Sequence, residues 1–551
     1  MTGNCQLPLV LGGPGTLMRT AISLFLIVAA AVLAAWWRLG APVPMPRSPL
    51  ADGEELACVS YAPFRGGQTP LDLSTRIPAA QIEDDLARLA KLTRCIRTYS
   101  TDLGLDQIAA IASRHGLQVL QGVWLGSNPV RNRAEIEAAV EIANKFPKVV
   151  RALVVGNEVL LRGELSSGDL ADIIHGVKAR VPVPVTYADV WEFWLRHRDI
   201  AAAVDFITIH ILPYWEDDPV AASAAAAHVH AIRQKVAAAF PGREVLIGEV
   251  GWPSLGRMRE AALPSPSNQA RVLHEVLTLA KQQKYRVNLI EAFDQPWKRQ
   301  LEGAVGGHWG LLDADTRMPK FLWGEPVSDH PRWLAQGALG VLLAGAVFAA
   351  AAFVGRHRKN DLGLARWTAI AAIALATGLM IGMAAEKASF ESLGVGPWIR
   401  SLGLLAVAVL APVIVAAALA REEGLPDLAT LLSDPLRLPP AGMALGASWI
   451  ATIVLSIQVG LGLVFDPRYR DFTFAPLTPA IVAFAALSLL GPRRDGERGA
   501  AETVSAWLLA GSAVYIVLNE SFANWQALWL CALFALLSLV LLRVRAAPGT
   551  K

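Results

Sequence analysis

Two glutamates, each at the end of a short apolar run, have the residue type and spacing that point most directly to chemistry. Glu158 follows the run Val154-Val155-Gly156-Asn157, and Glu249 follows Leu246-Ile247-Gly248. Both runs are rich in β-branched residues and are typical of buried strands. Two carboxylates that face one cleft can cleave a glycosidic bond, because one gives a proton while the other attacks the sugar or activates water.

Strand-like runs that alternate with helical patterns would position this pair. Alternation of this kind over residues 56–327 favours a parallel α/β architecture. Glu249 lies 91 positions after Glu158, close to three βα units of about 30 residues each. The sequence therefore predicts a (β/α)8 TIM barrel with the glutamates at the ends of strands four and seven. The eight predicted strands are 57–64, 95–100, 118–125, 152–159, 183–188, 206–211, 245–251 and 287–293.

Helical patterns fill the intervals between these strands. Several of them begin at a polar residue that can cap the first turn, and we expect Asn132, Ser166 and Ser267 to act in this way. In a barrel of this kind the active site lies at the C-terminal ends of the strands, which is where both glutamates are expected.

Composition divides the chain into two parts. It has 551 residues, of which 54% are hydrophobic and 18% charged, and its mean hydropathy is +0.40. Residues 50–327 have ordinary globular composition, whereas 333–545 is a series of long apolar runs. The net charge of +3 is nearly neutral, which argues against nucleic acid as a partner.

The apolar runs predict an all-α domain that spans a lipid bilayer many times. Residues 20–37 are long enough for a transmembrane anchor, and their closing Trp36-Trp37 pair favours this reading over a cleaved signal peptide. A Pro-rich linker occupies 38–55. Residues 333–545 contain seven further predicted spans, near 333–354, 367–385, 399–420, 443–465, 474–490, 503–519 and 525–542.

Basic residues predict the orientation of these spans. If 1–19 and the tail 546–551 are cytoplasmic, most arginines and lysines lie inside, and the short outer loops hold few of them. Residues 38–332 would then lie outside the cytoplasm. We interpret the helical domain as an anchor, with glucan conduction or partner docking as alternatives. The inner basic residues are Arg19, Arg356, Arg358, Lys359, Arg366, Arg421, Arg437, Arg493, Arg494, Arg498, Arg543, Arg545 and Lys551; the outer ones are Lys387, Arg400, Arg468 and Arg470.

The cysteines and the acidic pairs do not suggest a metal or a cofactor. Cys5, Cys58, Cys95 and Cys531 form no metal-ligand pattern. Cys58 and Cys95 are expected on neighbouring strands, where a bridge can form, but free buried thiols are the commoner state. Asp313-Ala314-Asp315 has the form of a nucleotide-sugar metal site, yet its setting is typical of a turn. We therefore expect no metal and no cofactor.

Six segments of the predicted barrel together resemble one known family. They are Val59-Ser60-Tyr61-Ala62-Pro63-Phe64, Ile96-Arg97-Thr98-Tyr99-Ser100, Gly156-Asn157-Glu158-Val159, His210-Ile211-Leu212-Pro213-Tyr214-Trp215, Gly248-Glu249-Val250-Gly251-Trp252-Pro253-Ser254 and Glu291-Ala292-Phe293-Asp294-Gln295-Pro296-Trp297-Lys298. They resemble glycoside hydrolase family 17, the β-1,3-glucanase family, and more narrowly its bacterial membrane-bound members that act in β-glucan synthesis and remodelling. The position after the family's nucleophile is usually serine or threonine, and here it is Val250.

The resemblance implies a retaining double displacement. Glu249 would be the nucleophile and Glu158 the acid/base. Asn157 would contact the sugar 2-hydroxyl, and Arg97 would keep Glu249 anionic. His210 and Tyr214 would also orient the nucleophile. The remaining residues implied to bind the substrate are Tyr61, Tyr99, His210, Tyr214, Trp252, Trp297 and Lys298.

The sequence leaves more than one function open. The leading hypothesis is a membrane-anchored enzyme that cleaves β-1,3-glucan, with the barrel outside the cytoplasm at a bacterial inner membrane. Transfer to a sugar hydroxyl would make it a transglycosylase that forms β-1,6 linkages or branches, with a membrane glucan synthase as a partner. A non-catalytic glucan-binding or export component is a further alternative, which the intact glutamate pair disfavours. A transporter with an accessory hydrolase is the last, and scarce intramembrane charge disfavours it.

Overall fold

A computed structural model of the protein describes residues 14–356, 362–433, 439–492 and 498–544. Pro42–Val327 form one compact unit, which we call the barrel unit. The residues up to Ala41 and those from Ser328 onward form the second, which we call the helical unit. The predicted tail 546–551 and most of the predicted segment 1–19 lie outside the described residues, together with Cys5, Arg358, Lys359, Arg437, Arg493, Arg494, Arg545 and Lys551.

Eight parallel strands close into the barrel, as predicted. Val59 is in register with Ile96 on one side and with Leu289 on the other, which completes the circle. The sheet is therefore a TIM-type barrel. The strands are β1 (Val59–Ser60), β2 (Cys95–Arg97), β3 (Gln118–Val123), β4 (Val150–Asn157), β5 (Val185–Val190), β6 (Ile207–His210), β7 (Val245–Val250) and β8 (Val287–Leu289).

The eighth strand is shorter than the sequence predicts. After β8 the chain forms a second ladder, in which residues 291–294 hydrogen-bond to the segment 309–312, although the amide of Ala292 still donates to the carbonyl of Ser60 at 2.8 Å. The amide of Glu291 donates to the carbonyl of Trp309 at 3.2 Å, and the amide of Asp294 donates to that of Leu312 at 3.0 Å. This side ladder accounts for the apolar residues that extend the predicted run to residue 293.

Helices cover the outside of the sheet, and two of their predicted caps are wrong. Ser166 accepts from the amide of Asp169 as expected. The caps of the other two helices are Asn128 and Ser265, a few residues earlier, because a proline stands at the first helical position of each. The remaining elements are α2 (Ala79–Leu89), α3 (Ile108–Arg114), α4 (Pro129–Lys145), α5 (Ser167–Lys178), α6 (Trp191–Arg196), α7 (Ala222–Ala239), α8 (Pro266–Gln282), α9 (Arg299–Glu302) and 3₁₀ turns at Leu105–Gln107, Arg198–Ala202, Pro296–Lys298 and Ala304–Gly307.

A small apolar cluster lies inside the barrel, apart from the larger core between sheet and helices. Residues from six strands or their edges contact one another there, including Leu120, Val154 and Leu246. Cys58 and Cys95 belong to this cluster and form a disulfide. The expectation of free thiols is wrong, because parallel register brings the two chain segments side by side, with their Cα atoms 4.4 Å apart.

The helical unit contains the apolar runs. Within the described residues of this unit, seven helices are long and apolar enough to cross a membrane, and α15 is a shorter apolar helix. All eight predicted spans therefore coincide with helices. They are α1 (Pro14–Gly40), α10 (Trp333–Gly355), α11 (Leu364–Glu391), α12 (Val395–Arg421), α14 (Pro440–Phe465), α15 (Phe474–Leu490), α16 (Ala500–Glu520) and α17 (Trp525–Arg543), with the short helix α13 (Leu428–Ser433).

Small residues allow close packing among α1, α10 and α11. A Cβ atom on Gly340 would lie 2.1 Å from the carbonyl oxygen of Gly378, so the two helices approach there through their backbones. Trp36 of α1 is fully buried, and its indole nitrogen donates to the same carbonyl at 3.4 Å. The N-terminal helix is thus an integral part of the helical unit's core.

Candidate active site

The two glutamates lie at the C-terminal ends of β4 and β7, as the strand register predicts. Glu249 belongs to β7, and Glu158 directly follows β4 with a φ of 53°. Gly156 has a φ of 91°, and a Cβ atom there would lie 2.9 Å from Val159. The chain thus turns sharply at the end of β4, and only glycine fits the turn without strain.

Glu249 lies in a buried, positively charged environment. Its Oε1 accepts from Arg97 Nη1 at 2.9 Å and from the hydroxyl of Tyr99 at 2.9 Å. Burial by itself would raise the pKa of Glu249, but the charges of His210, Arg97 and Lys298 outweigh it and hold that pKa below its ordinary value. The carboxylate is therefore kept ionised, as a nucleophile requires.

Glu158 has a more open environment. Its side chain is 24% exposed, whereas that of Glu249 is 6% exposed. His210 Nδ1 lies 2.7 Å from Glu158 Oε1, and His210 Nε2 lies 3.7 Å from Glu249 Oε1. One imidazole therefore lies between the two carboxylates. Because the Glu158 side chain is partly exposed, its carboxyl can exchange a proton with a group that enters the cleft.

Arg97 connects the two strand ends. Besides Glu249, it contacts the carbonyl of Gly248 through Nη1 at 2.9 Å and Asn157 Oδ1 through Nη2 at 2.5 Å. Because the amide oxygen of Asn157 accepts from Arg97, its NH₂ group is the donor left for another acceptor. Arg97 is 1% exposed, so its influence on the site is exerted through these neighbouring residues.

The structure does not bring every predicted site residue to the glutamates. Three of the aromatic side chains are fully buried and use their polar atoms elsewhere. Tyr61 donates to Asp85 of α2 at 3.0 Å, Tyr214 to the carbonyl of Arg257 at 2.9 Å, and Trp252 to that of Leu263 at 3.1 Å. The rings of Tyr214 and Trp252 pack edge to face, 6.2 Å apart.

Trp297 and Lys298 are less deeply placed than these aromatic residues. The indole of Trp297 is half-buried and donates to Gln295 Oε1 at 2.8 Å. Lys298 Nζ donates to Glu291 Oε1 at 2.8 Å, and its charge also lowers the pKa of Glu249. Lys298 thus interacts electrostatically with Glu249.

Glu291 is a site residue that sequence reasoning did not single out. It is 1% exposed, and burial raises its pKa to about 7 even though Lys298 acts in the opposite direction. Glu291 comes two residues after β8, and its predicted strand, 287–293, contained it just as the predicted strands 152–159 and 245–251 contained Glu158 and Glu249. A glutamate near the end of a predicted strand was therefore a signal that could have identified it.

Three of these side chains have the geometry of a metal site. Ligand atoms of Glu158, His210 and Glu249 all lie within 4.8 Å of one another. However, Glu249 Oε1 already accepts from a guanidinium and a phenol, and a cation in that position would be repelled by Arg97. The donor set therefore fits acid/base chemistry better than it fits a resident cation.

Comparison with known proteins assigns the barrel. Residues 58–310 match the BtgE/BtgC glycoside hydrolase domain. The barrel is a glycoside hydrolase domain of family 17. The resemblance of the sequence motifs to family 17 is thereby confirmed, and the protein is an enzyme of the glycosidase or transglycosylase class.

Individual relatives of the family 17 domain are distant. The chain is 26% identical over 262 residues to a glucan 1,3-beta-glucosidase of Candida albicans, covering 43% of this chain and 84% of that protein. It is 27% identical to the probable beta-glucosidase btgE of Aspergillus fumigatus and spans 45% of that relative's length. A solved β-1,3-glucanosyltransferase from Rhizomucor miehei is 28% identical, covers 48% of this chain and 95% of its own, and has a TM-score of 0.43.

Proposed function

We propose that the family 17 domain cleaves β-1,3-linked glucan by a retaining double displacement. The observation that supports this most directly is the pair Glu158 and Glu249, whose ligand atoms lie within 4.8 Å of each other. Carboxylates about 5 Å apart suit retention, because inversion needs room for a water molecule between them. Relatives named as glucan 1,3-beta-glucosidases support β-1,3-glucan as the substrate class.

In the first step, Glu249 attacks the anomeric carbon while Glu158 gives its proton to the glycosidic oxygen. The carbon–oxygen bond breaks, the shortened glucan leaves as an alcohol, and a glycosyl ester of Glu249 forms. The buried cationic environment of Glu249 supports this role, since it keeps the attacking oxygen ionised.

In the second step, the ionised Glu158 takes a proton from the acceptor, whose oxygen attacks the anomeric carbon and frees Glu249. Water as acceptor completes hydrolysis, and a sugar hydroxyl completes transfer. We favour hydrolysis of the endo-1,3-β-glucanase type. Transfer to form β-1,6 linkages or branches is the second candidate, and attachment to an apolar helical unit favours remodelling of a nascent glucan over degradation.

The test is product analysis with the full-length protein in detergent. Incubation with laminari-oligosaccharides should give products of initial β configuration, observed by NMR before mutarotation. Shorter products alone indicate hydrolysis, whereas longer or β-1,6-linked products indicate transfer. Absence of turnover by the wild type would overturn the proposal and favour a binding or export component.

The nucleophile is tested separately. Glu249→Ala should lose turnover, and azide should restore cleavage of an activated glucoside with an α-glycosyl azide as the product. A β-glycosyl azide, or rescue of Glu158→Ala instead with the α product, would contradict the assignment of the two glutamates.

We further propose that the helical unit anchors the enzyme in a bacterial inner membrane with the family 17 domain outside the cytoplasm. Eight apolar helices and the distribution of basic residues support this topology. The disulfide between Cys58 and Cys95 also supports it, since such bonds persist in oxidising compartments. An exposed cysteine introduced at Ser74 should react with an impermeant maleimide in intact spheroplasts; labelling only after lysis would overturn the orientation.

A further inference from the structure

Asp189 is a buried carboxyl near the site that neither displacement step uses. It belongs to β5 and is 0% exposed. The hydroxyl of Tyr187, two residues earlier on the same face of the strand, donates to Asp189 Oδ2, and the amide of Val190 donates to Oδ1 at 2.7 Å. A buried acid with several donors is held in one position by them.

The Tyr187–Asp189 pair also holds the segment that bears Glu158. The amide of Leu160 donates to the hydroxyl of Tyr187 at 3.0 Å, and the amide of Leu161 points to Asp189 Oδ2 at 3.4 Å. The ring of Tyr187 lies against Gly156, where an added Cβ would be 3.2 Å from two ring carbons. Both ends of the turn around Glu158 are therefore fixed by one pair of side chains.

Glu158 itself needs this support because its backbone is unusual. It has a positive φ of 53°, a conformation that a glutamate rarely adopts without surrounding restraints. Its amide donates to the carbonyl of Ala188 at 2.8 Å, so the backbone of Glu158 is itself hydrogen-bonded to β5. The side-chain contact to His210 then fixes the carboxylate.

We propose that Tyr187 and Asp189 are positioning residues that fix the orientation of the acid/base Glu158. They do not touch the substrate; they determine where the Glu158 carboxyl meets the glycosidic oxygen and, later, the acceptor hydroxyl. This inference rests on the proposed function, which assigns Glu158 as acid/base.

The charge surroundings of Asp189 agree with this role. Burial raises the pKa of Asp189 to about 6, the donated bond from Tyr187 acts against that rise, the charge of Glu158 adds to it, and the charge of His210 opposes it. Asp189 thus interacts electrostatically with both Glu158 and His210. Burial likewise raises the pKa of Tyr187 far above its usual range, so its hydroxyl remains a donor.

A positioning defect at Glu158 has a signature that a general loss of stability lacks. Cleavage of a natural glucan needs proton donation, whereas a dinitrophenolate departs without it. For Tyr187→Phe and Asp189→Asn, we expect kcat/KM for laminari-oligosaccharides to fall about 10- to 100-fold. For a dinitrophenyl β-laminaribioside, kcat/KM should change less than about threefold, and azide should raise kcat, because azide needs no base.

Two control variants remove comparable groups away from the Glu158 turn. Thr186→Val deletes a buried hydroxyl on the same strand that donates to the carbonyl of Phe206 at 2.7 Å. Asp205→Asn neutralises an acid that accepts from the amide of Val185, at the other end of β5, at 2.8 Å. Neither control should alter the ratio of kcat/KM between the two substrates, and that ratio does not depend on the folded fraction.

The outcomes separate the inference from the proposed function. Equal losses on both substrates, or no loss on either, would overturn the positioning role while wild-type turnover still supports the double displacement. If the wild type turns over neither substrate, the proposed function itself is wrong. If the controls shift the ratio as much as Tyr187→Phe and Asp189→Asn do, the effect belongs to β5 in general and the inference is wrong.

Discussion

The barrel unit gathers ionisable side chains at the C-terminal ends of its strands, whereas the middle of the helical unit is packed through small apolar residues. At the strand ends, Arg97, Glu249 and His210 are nearly or fully buried, and each has a charged or polar partner. Between α10 and α11, by contrast, Gly340 and Gly378 meet through their backbones. Changes in the barrel site should therefore alter chemistry at constant fold, and changes at the glycine contact should alter stability at constant chemistry.

The largest difference between an effect on activity and an effect on stability is expected for Glu158→Gln. The variant keeps the size and hydrogen-bonding capacity of the side chain but cannot give a proton, so we expect kcat/KM for laminari-oligosaccharides to fall about 10³-fold. The melting temperature should stay within about 2 °C of the wild type, since the side chain is partly exposed. Steady-state kinetics and thermal denaturation in detergent measure the two effects. A large drop in melting temperature would mean that Glu158 supports the fold as well as the reaction.

A second, smaller effect in the barrel concerns pH. Glu249 must be ionised to attack, and the charges of His210, Arg97 and Lys298 hold its pKa below its ordinary value despite burial. The acid limb of the rate profile should therefore lie below the usual range of a glutamate. Removing the charge in Arg97→Gln leaves burial with less opposition, so this limb should move to higher pH by about 1–3 units.

Arg97→Lys is the matched control for this shift. It keeps the positive charge but loses the fork that reaches both Glu249 and Asn157. We expect a smaller displacement of the acid limb in Arg97→Lys than in Arg97→Gln, with both profiles taken from kcat/KM over the stable pH range. If the two variants shift the limb equally, the geometry of the fork and not its charge controls Glu249.

In the helical unit we expect the reverse result, a change in stability without a change in activity. In Gly340→Ala the new methyl group would overlap the carbonyl oxygen of Gly378, and we expect a loss of about 1–3 kcal/mol in stability. Gly345→Ala lies in the same helix, where a Cβ would meet only Phe25 at 3.5 Å, so it should be neutral or slightly stabilising. Thermal denaturation in detergent compares them. Neither variant should change kcat per active site; a change with Gly340→Ala would show that the two units are functionally coupled.

The sequence could predict much of this organisation because hydrophobic periodicity and strand count do not depend on distant contacts. The barrel, the eight apolar helices and the placement of Glu158 and Glu249 at strand ends follow from such local patterns. What it could not predict depends on partners far apart in the chain. The disulfide of Cys58 requires the register of β1 against β2, and the side ladder after β8 requires the segment 309–312.

The aromatic residues show the same limit. A tyrosine or tryptophan near a strand end is compatible with a sugar platform or with a buried core, and only the fold decides. Tyr61 is buried, and its hydroxyl donates to Asp85 of α2, a contact between residues 24 positions apart. Tyr99, in contrast, reaches Glu249 across the barrel at 2.9 Å. The sequence motifs of Tyr61 and Tyr99 alone do not show which of them is buried in the core and which contacts Glu249.

The smallest expected effect is that of metal removal, which tests whether the polar cluster of the barrel is a proton-handling site. Glu158, His210 and Glu249 have ligand atoms close enough to share a cation. However, the guanidinium of Arg97 lies 2.9 Å from Glu249 Oε1, so a divalent ion there would face repulsion. We expect EDTA to leave kcat unchanged, because the two displacement steps proposed for these residues need only proton transfer and nucleophilic attack. A loss of activity with EDTA that Zn²⁺ or Ca²⁺ restores would mean that the three residues bind a metal, and the acid/base roles would then need reassignment.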